Sequence, residues 1–443
     1  MSLKLSRYNH FAKDDSEDYL FCNILRGLSS LRRVKKDDNE TLDVLLRGEG
    51  FGQSSKLNEL RRAGFLINEE EDELHKVRTF HEDVIRSNVL GLILMPTGAC
   101  NFRCKYCYED FEKGRMTKEV QISILKYVQN QLNYFSRLSV DWFGGEPLEA
   151  LDIVEYLMTN IKQICSKRGA YYRSGMTTNG YSLTPEVFEK LYKLQIFAYQ
   201  ITLDGNKEQH DTQRILENGA GTYERIFENL LYIRENPKFT KVSVMIRVNL
   251  TRSIVENLSE FLTTYKKNFS DDKRFSLLFH KASDFGDNIP SDFSENIERA
   301  NVFEILNSRN ILESADFDLS GFLGMISPFS SICYAAQKNS FVIGSEADIY
   351  KCTVYFNEDV NKLGKLTKNG VMDIDPYKHT LWYGKKTLPN TCIECNYLPA
   401  CYGGGCPYNV NFRNSDICYS LVAKQNINKI IKYISRFVDA EVL

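Results

Sequence analysis

From Val89 onward the chain alternates short apolar runs with longer stretches whose apolar positions recur every three or four residues. Val89–Met95, Leu138–Phe143, Tyr172–Thr178, Phe197–Leu203, Val242–Val248 and Phe275–His280 read as strands. Lys118–Phe135, Ile153–Lys167, Pro185–Leu194, Tyr223–Arg234 and Ile254–Tyr265, lying between them, read as amphipathic helices. A repeated strand–helix unit predicts parallel strands, because each helix returns the chain to the same end of the sheet. Six such units predict an α/β fold, a partial (β/α)6 TIM barrel, with its chemistry at the carboxyl ends of the strands.

Residues 1–85 carry a different pattern. Tyr19–Leu25 and Leu31–Val34 read as a hairpin, followed by a helix over Asn39–Arg47 that stops at Gly48. A second helix over Ser54–Ala63 stops at Gly64, and a strand over Phe65–Ile67 leads into the acidic turn Glu69–Glu73. That order matches a winged helix. The barrel then occupies 86–290 and a loop-rich bridge 291–324. Residues 325–443 hold short strands, turns and seven cysteines, and close on an amphipathic helix over Leu421–Val438.

Charge narrows the function. Lys plus Arg is 56 against 58 Asp plus Glu, a net charge of -2, which argues against nucleic acid as a partner. No apolar run is long enough to span a membrane, and Met1–Asp15 lacks the apolar core of a signal peptide. The expected location is the cytoplasm, where thiols stay reduced. The cysteine count then changes the picture. Of twelve cysteines, Cys22 and Cys165 stand alone in apolar segments and read as buried structural thiols. The other ten fall into two groups, and grouped thiols in a reducing compartment suit metal or cluster ligation.

Cys100, Cys104 and Cys107 lie on the loop that leaves the first barrel strand. Three thiolates on one loop suit three irons of a 4Fe–4S cube and leave one iron open to a chelating molecule. Zinc is the alternative. A structural zinc site uses four protein ligands, and no fourth Cys or His lies near this loop, which leaves a three-ligand site. Phe143-Gly144-Gly145-Glu146-Pro147 follows the second strand. Its glycines permit close backbone approach, and carbonyls with a carboxylate suit an ammonium group. Thr177–Gly180 ends the third strand, Thr202–Gly205 the fourth, and Arg247 and Asn249 the fifth.

The CxxxCxxC spacing and the GGEP segment, each directly after a barrel strand, resemble the radical S-adenosylmethionine (AdoMet) superfamily. The resemblance implies an AdoMet-binding 4Fe–4S cluster on Cys100, Cys104 and Cys107. It implies that Tyr106 packs near adenine and that Gly144, Gly145, Glu146 and Pro147 meet the AdoMet amino group. Asn179, Thr202 and Asp204 would lie near the ribose and methionine, and Arg247 with Asn249 on the carboxylate and adenine side. The implied chemistry is reductive cleavage of AdoMet to a 5'-deoxyadenosyl radical that abstracts hydrogen, with flavodoxin or ferredoxin as electron donor.

The second group, Cys392-x2-Cys395-x5-Cys401-x4-Cys406 with Cys333, Cys352 and Cys418, resembles the SPASM extension of that superfamily. By that resemblance Cys333, Cys352 and Cys406 hold a first auxiliary 4Fe–4S cluster, and Cys392, Cys395, Cys401 and Cys418 a second, making three clusters in all. Two local departures stand out: four residues separate Cys401 from Cys406 where the family has three, and Ala347 replaces a glycine five residues before Cys352. Seven thiolates serve two clusters that would take eight, so the first auxiliary cluster is expected to have an open iron or a non-cysteine ligand. SPASM maturases that form thioethers resemble this arrangement. Sulfatase maturases place an Asp after the second auxiliary cysteine, and Thr353 stands there. The N-terminal unit resembles the recognition element that adds a leader peptide to a sheet edge, here Leu20–Leu25 and Leu31–Val34. The expected function is an intrapeptide cross-link, a thioether, in a ribosomally synthesised precursor peptide. A carbon–carbon link, formylglycine formation on a sulfatase and a zinc-binding scaffold are the alternatives.

Overall fold

The computed structural model describes residues 2–50, 55–109, 111–281, 305–306, 311, 322–330, 332–384, 388–412, 418, 420–438 and 440–442. Contacts divide the chain into two compact units. One comprises Met1–Arg86, Leu306–Gln337 and Tyr383–Leu443, the other Ser87–Ile305 and Lys338–Trp382. The bridge expected over 291–324 lies outside the described residues apart from 305–306, 311 and 322–324.

In the first unit Leu3–Leu5 (β1), Asn9–Lys13 (β2), Tyr19–Asn23 (β3), Arg32–Val34 (β4) and Leu66–Asn68 (β5) are short strands, and β1 pairs antiparallel with β5. The expected hairpin is β3 and β4, but β2 pairs on the other side of β3. The strand Glu441–Val442 lies parallel to β4 on its outer side. The edge expected to be open along residues 20–25 and 31–34 is therefore covered on both sides. The first helix, Asn39–Leu42, runs on as a wider turn to Gly48 (φ 71), and Ser55–Ala63 stops at Gly64 (φ 87). Leu42, Leu45, Leu57 and Leu60 pack there with Phe21, Val34 and Phe65.

The acidic run begins as the expected turn, with Glu69 and Glu70 exposed, and ends by opening a helix. Asp72 caps a helix, Glu73–Ile85, by accepting from His75 N at 3.0 Å. Glu73 is buried and accepts from Ser6 Oγ at 2.5 Å and Arg7 N at 3.0 Å. This helix escaped the sequence reading because it buries a single stripe, Val77, His81 and Ile85, with charged residues on the other faces. A polar hub ties the unit together. Asn23, 1% exposed, donates from Nδ2 to Ser6 Oγ (2.9 Å), Asn9 Oδ1 (2.8 Å) and Gly64 O (2.9 Å). Its Oδ1 accepts from Arg26 N at 3.2 Å.

The same unit holds the Cys392–Cys395 turn. Tyr8, Val77, Leu388, Leu398 and Tyr402 form a core cluster against which Cys392 and Cys395 pack. Arg7 Nη2 donates to Ile393 O at 2.7 Å. The expected closing helix breaks at Asn426 into Leu421–Gln425 and Ile427–Ile434, and Ile430, Ile431 and Ile434 are buried. Ile427–Ile434 packs on β2 and β3.

The second unit contains Val89–Leu94 (β6), Phe102–Cys104 (β7), Arg137–Trp142 (β8), Tyr171–Thr178 (β9), Ile196–Thr202 (β10) and Arg214–Leu216 (β11). Ser243–Leu250 (β12), Phe275–Lys281 (β13), Ser340–Ile343 (β14), Asp348–Tyr350 (β15), Lys362–Leu366 (β16) and Met372–Ile374 (β17) follow. Ten of these make one sheet in the order β13-β12-β10-β9-β8-β6-β14-β15-β16-β17, and β7 pairs separately with β11. The six predicted strands are β6, β8, β9, β10, β12 and β13, parallel and neighbouring in chain order, as in the wall of a (β/α) barrel. Alternation fixes the faces: Leu90, Leu92 and Leu94 are buried, while Gly91 and Ile93 point the other way. β14 joins parallel to β6, and β15–β17 extend the sheet antiparallel, so this part of the cysteine-rich region belongs to the barrel unit.

Removing a buried amide leaves its former partners unsatisfied. Asn23→Ala is expected to lower the unfolding free energy by about 2 kcal/mol, read as an earlier urea midpoint than in the unsubstituted chain.

Candidate functional site

The carboxyl ends of β6, β8, β9, β10 and β12 bring the predicted segments of the barrel unit to one edge of the sheet. The cysteine loop after β6 and the glycine loop after β8 are clasped backbone to backbone. Phe143 N donates to Leu94 O (3.0 Å), Gly145 N to Thr97 O (3.3 Å) and Glu146 N to Ala99 O (2.9 Å). A Cβ on Gly145 would lie 2.3 Å from both Gly98 O and Ala99 O. Gly144 has φ 118, and a Cβ there would lie 2.6 Å from Thr97 O. Only glycines allow this approach.

Glu146 brackets β8 to β9. Its Oε1 accepts from Leu148 N (3.0 Å) and Thr178 Oγ1 (2.7 Å), and its Oε2 from Asn179 N (2.7 Å). Pro147 opens the short turn that follows. Burial pushes the Glu146 carboxyl up to about 7 despite those three donors. None of the ion pairs among the described residues involves Glu146, so a ligand ammonium suits its remaining acceptor capacity. Asn179 turns toward the cysteine loop: Nδ2 donates to Asn101 Oδ1 at 2.8 Å and lies 3.9 Å from Cys100 Sγ.

The Tyr106 hydroxyl is the centre of a buried network. It donates to Asp204 and accepts from Arg214 Nη1 (2.8 Å) and Asn249 Nδ2 (3.1 Å). Asp204, 0% exposed, also accepts from Asn249 N at 2.7 Å, so both its oxygens face protein. Burial pushes the Asp204 carboxyl up, while the charge of Arg214 pulls it back. Thr202 is buried opposite Arg247 in the β10–β12 register, and Arg247 Nε donates to Asn249 Oδ1 at 2.8 Å. His210 holds the turn after β10: its Nδ1 accepts from Asp204 N (3.1 Å) and its Nε2 faces Thr222 Oγ1 (3.0 Å). Nδ1 as acceptor makes this imidazole neutral, with its proton on Nε2.

Sequence reading missed Arg214, which sits on β11 opposite Cys104 and supplies the buried positive charge. It also missed Asp141, on the β8 face turned away from the helices. Asp141 Oδ2 accepts from Ser139 Oγ at 3.0 Å, and Arg173 Nε donates to the same hydroxyl at 3.1 Å. A Cβ on Gly175 would lie 2.7 Å from Asp141 Oδ1. Although Asp141 as a whole is exposed, desolvation of its carboxyl pushes that group above its ordinary value, against the pull of Ser139 and Arg173. A charge inside the otherwise apolar run Leu138–Phe143 was the available signal.

The cysteines share a local geometry. The backbone N–H two residues on donates to sulfur at 3.4 Å in Cys100 (from Phe102), Cys352 (from Val354) and Cys395 (from Tyr397). Such bonds orient a thiolate toward a metal and lower its charge density. Burial pushes the Cys100 and Cys107 thiols up to about 12, so they need the positive charge of irons to deprotonate. Cys352 is fixed by Asn361, whose Oδ1 accepts from Lys351 N (3.0 Å) and Cys352 N (2.8 Å) and whose Nδ2 donates to Cys352 O (2.9 Å). In the other unit Cys333 N donates to Gly405 O at 2.9 Å, beside Cys406. The charges of Cys401, Cys395 and Cys418 all act on Cys392. Among the described residues no three His, Cys, Asp or Glu side chains converge on a single metal ion. A 4Fe–4S cube takes its cysteines one to an iron, a different requirement from that of a single metal ion. Cys22 and Cys165 are buried, as expected of structural thiols.

Residues 94–262 match the profile of the Radical SAM superfamily. The radical SAM cyclopropyl synthase TigE of Paramaledivibacter caminithermalis is 22% identical over 306 residues, 60% of this chain and 61% of that protein. The chain thus spans less than two thirds of that relative. A cysteine-type anaerobic sulfatase-maturating enzyme of Clostridium novyi is 24% identical over 335 residues, 71% of this chain and 87% of that enzyme. Among solved structures, native anSMEcpe with bound AdoMet and Cp18Cys peptide superposes with a TM-score of 0.60 at 20% identity. That superposition covers 79% of this chain and 98% of anSMEcpe.

Gly145→Ala is expected to weaken AdoMet binding by at least about tenfold, roughly 1.4 kcal/mol, in equilibrium dialysis. Gly114→Ala, where a Cβ meets nothing within 4 Å, is expected to leave it unchanged. Burial and the Arg214 charge hold the His210 pKa well below 6.5. Below that pH the unfolded chain binds the extra proton, so stability falls as pH drops, by up to about 1.4 kcal/mol per unit. His210→Gln is expected to flatten this part of the stability–pH curve. Gly145 and His210 both lie within the residues that match the Radical SAM superfamily profile.

Proposed function

We propose that this chain installs an intrapeptide thioether in a ribosomally synthesised precursor peptide that carries a leader. The division of the seven downstream cysteines carries the reading. Burial pushes the Cys392 thiol up, with Cys401, Cys395 and Cys418 as its neighbouring thiols, while Cys333 N donates to Gly405 O beside Cys406. By the resemblance to the SPASM extension alone, Cys352 would join Cys333 and Cys406 as three thiolates for a cluster of four irons, which leaves room for a soft substrate thiolate. Thr353 follows Cys352 and is buried. A threonine hydroxyl does not accept a proton as a carboxylate does, which weighs against formylglycine formation.

When bound, a 4Fe–4S cluster with AdoMet supplies a 5'-deoxyadenosyl radical that removes a hydrogen atom from a C–H bond. Cys100, Cys104 and Cys107 would hold that cluster. The backbone of Gly144 and Gly145 and the Glu146 carboxylate would face the AdoMet ammonium. Thr202, Arg247 and Asn249 would lie along the rest of the molecule. Tyr106, Asp204 and Arg214 keep the cysteine loop seated on the strand ends. Asn361 presents Cys352. The sheet of β2–β4 would receive the leader, with a small electron carrier such as flavodoxin or ferredoxin as partner in the cytoplasm.

Anaerobic turnover of the iron-reconstituted chain with a cysteine-containing precursor peptide is expected to remove two hydrogens per link and to protect the linked cysteine from alkylation. A loss of two hydrogens with the cysteine still alkylated points to a carbon–carbon link. Conversion of a leaderless sulfatase peptide to formylglycine, or a reconstituted chain without iron, overturns the proposal. Cys352→Ala is expected to retain 5'-deoxyadenosine release and lose the link, and Cys104→Ala to lose both, as read by mass spectrometry.

A further inference from the structure

The outer side of β4 is where the N-terminal sheet would otherwise end, and an uncovered sheet edge is a template for another strand. Glu441–Val442 sits on it in parallel register, Glu441 opposite Arg32 and Val442 opposite Arg33. The pairing covers two of the three residues of β4. One ion pair, Arg32 Nη2 to Glu441 at 2.9 Å, supports it, with the Glu441 side chain 70% exposed. An ion pair so exposed on its acidic side adds little. Short parallel pairing adds little more. What holds these residues in place is the preceding helix: Ile427–Ile434 is packed on β2 and β3, and Lys432 Nζ pairs with Asp15 at 2.6 Å. A weak strand delivered by a firm anchor is kept in place by effective concentration rather than by its own contacts.

The edge is basic along its length. Arg32, Arg33, Lys35 and Lys36 occupy four of five consecutive positions. The resident strand answers this with a carboxylate. We propose that the outer edge of β4 is a docking edge for an extended acidic peptide, and that Glu441–Val442 is a resident strand which the peptide displaces. A longer segment would pair along all of β4 and place carboxylates against Arg32 and the basic residues beyond it. Only the identity of the incoming strand, the precursor's leader, rests on the functional reading above.

The probe is a fluorescein-labelled peptide of residues 436–443, followed by anisotropy with three iron-reconstituted chains: unaltered, ending at Val438, and full length with Glu441→Arg. The chain ending at Val438 is expected to bind at least tenfold tighter than the unaltered chain, with Glu441→Arg between them. Equal binding by all three overturns the proposal. If the shortened chain fails to melt cooperatively or to retain iron, the full-length Glu441→Arg chain decides: tighter binding than the unaltered chain upholds the proposal, and unchanged binding overturns it. Competition by the precursor's leader separates the two readings. If the probe binds and the leader does not displace it, the docking edge stands and the leader assignment falls. If the leader binds equally with and without residues 439–443, the displacement proposal falls and the leader assignment stands.

Discussion

The barrel edge is organised by one contact, the approach of the Gly144–Gly145 backbone to the carbonyls of Thr97, Gly98 and Ala99. Two loops from adjacent parallel strands normally diverge once their ladder ends. Here the ladder is prolonged by Phe143, Gly145 and Glu146 amides donating back into the cysteine loop. The loop that presents three thiols therefore inherits the rigidity of β6 and β8. That matters because a ligand bridging an iron and the next loop tolerates little error in their separation. A side chain at Gly145 would have to push the two backbones apart, and no rotamer of a neighbour could absorb the displacement.

Electrostatics at the same edge follow a second rule: each buried acid has a stated source of positive charge or lacks one. Asp204 has Arg214 close by, with Tyr106 between them. Removing Arg214 would leave a buried carboxylate with two hydrogen bonds and only the weaker influence of Arg247, a costly state in a low dielectric. Glu146 has three hydrogen-bond donors and no cation, and its carboxyl stays poised near neutrality. A neutral network that assembles the wall and a carboxyl still short of a cation have different purposes. The first holds three strands and the cysteine loop together, and the second keeps acceptor capacity that the protein's own donors leave unused.

Legibility in the sequence divides along the same line. The six barrel strands were readable because each is a short apolar run buried on at least one face and bounded by turns, a local signal. The cysteine loop and glycine loop were readable because chemistry needs specific residue types there. Glu146 and Tyr106 were readable as positions but not as contacts, since their partners Thr178, Asn179, Asp204, Arg214 and Asn249 come from other strands. Helix Glu73–Ile85 was hidden by its narrow buried stripe, and Asn361 by being one asparagine among many, though it makes two hydrogen bonds to Cys352 and one to Lys351.

The N-terminal unit shows why a boundary near residue 85 is readable while the fold it implies is incomplete. Strands of three to five residues make a small sheet, and so small a segment buries too little apolar surface to be secure alone. Its missing cover comes from the other end of the chain: the isoleucine face of Ile427–Ile434 closes β2 and β3, and Leu388, Leu398 and Tyr402 close over Tyr8 and Val77. The Cys392–Cys395 turn is built into that cover, held by Arg7 through Ile393 O and by His10 through Asn396 O at 3.2 Å. The sheet and the cysteine turn therefore share one set of contacts, so loss of order in either removes support from the other. Irons bound at Cys392, Cys395, Cys401 and Cys418 would stabilise the sheet by mass action, because binding to the ordered turn favours every structure that orders it.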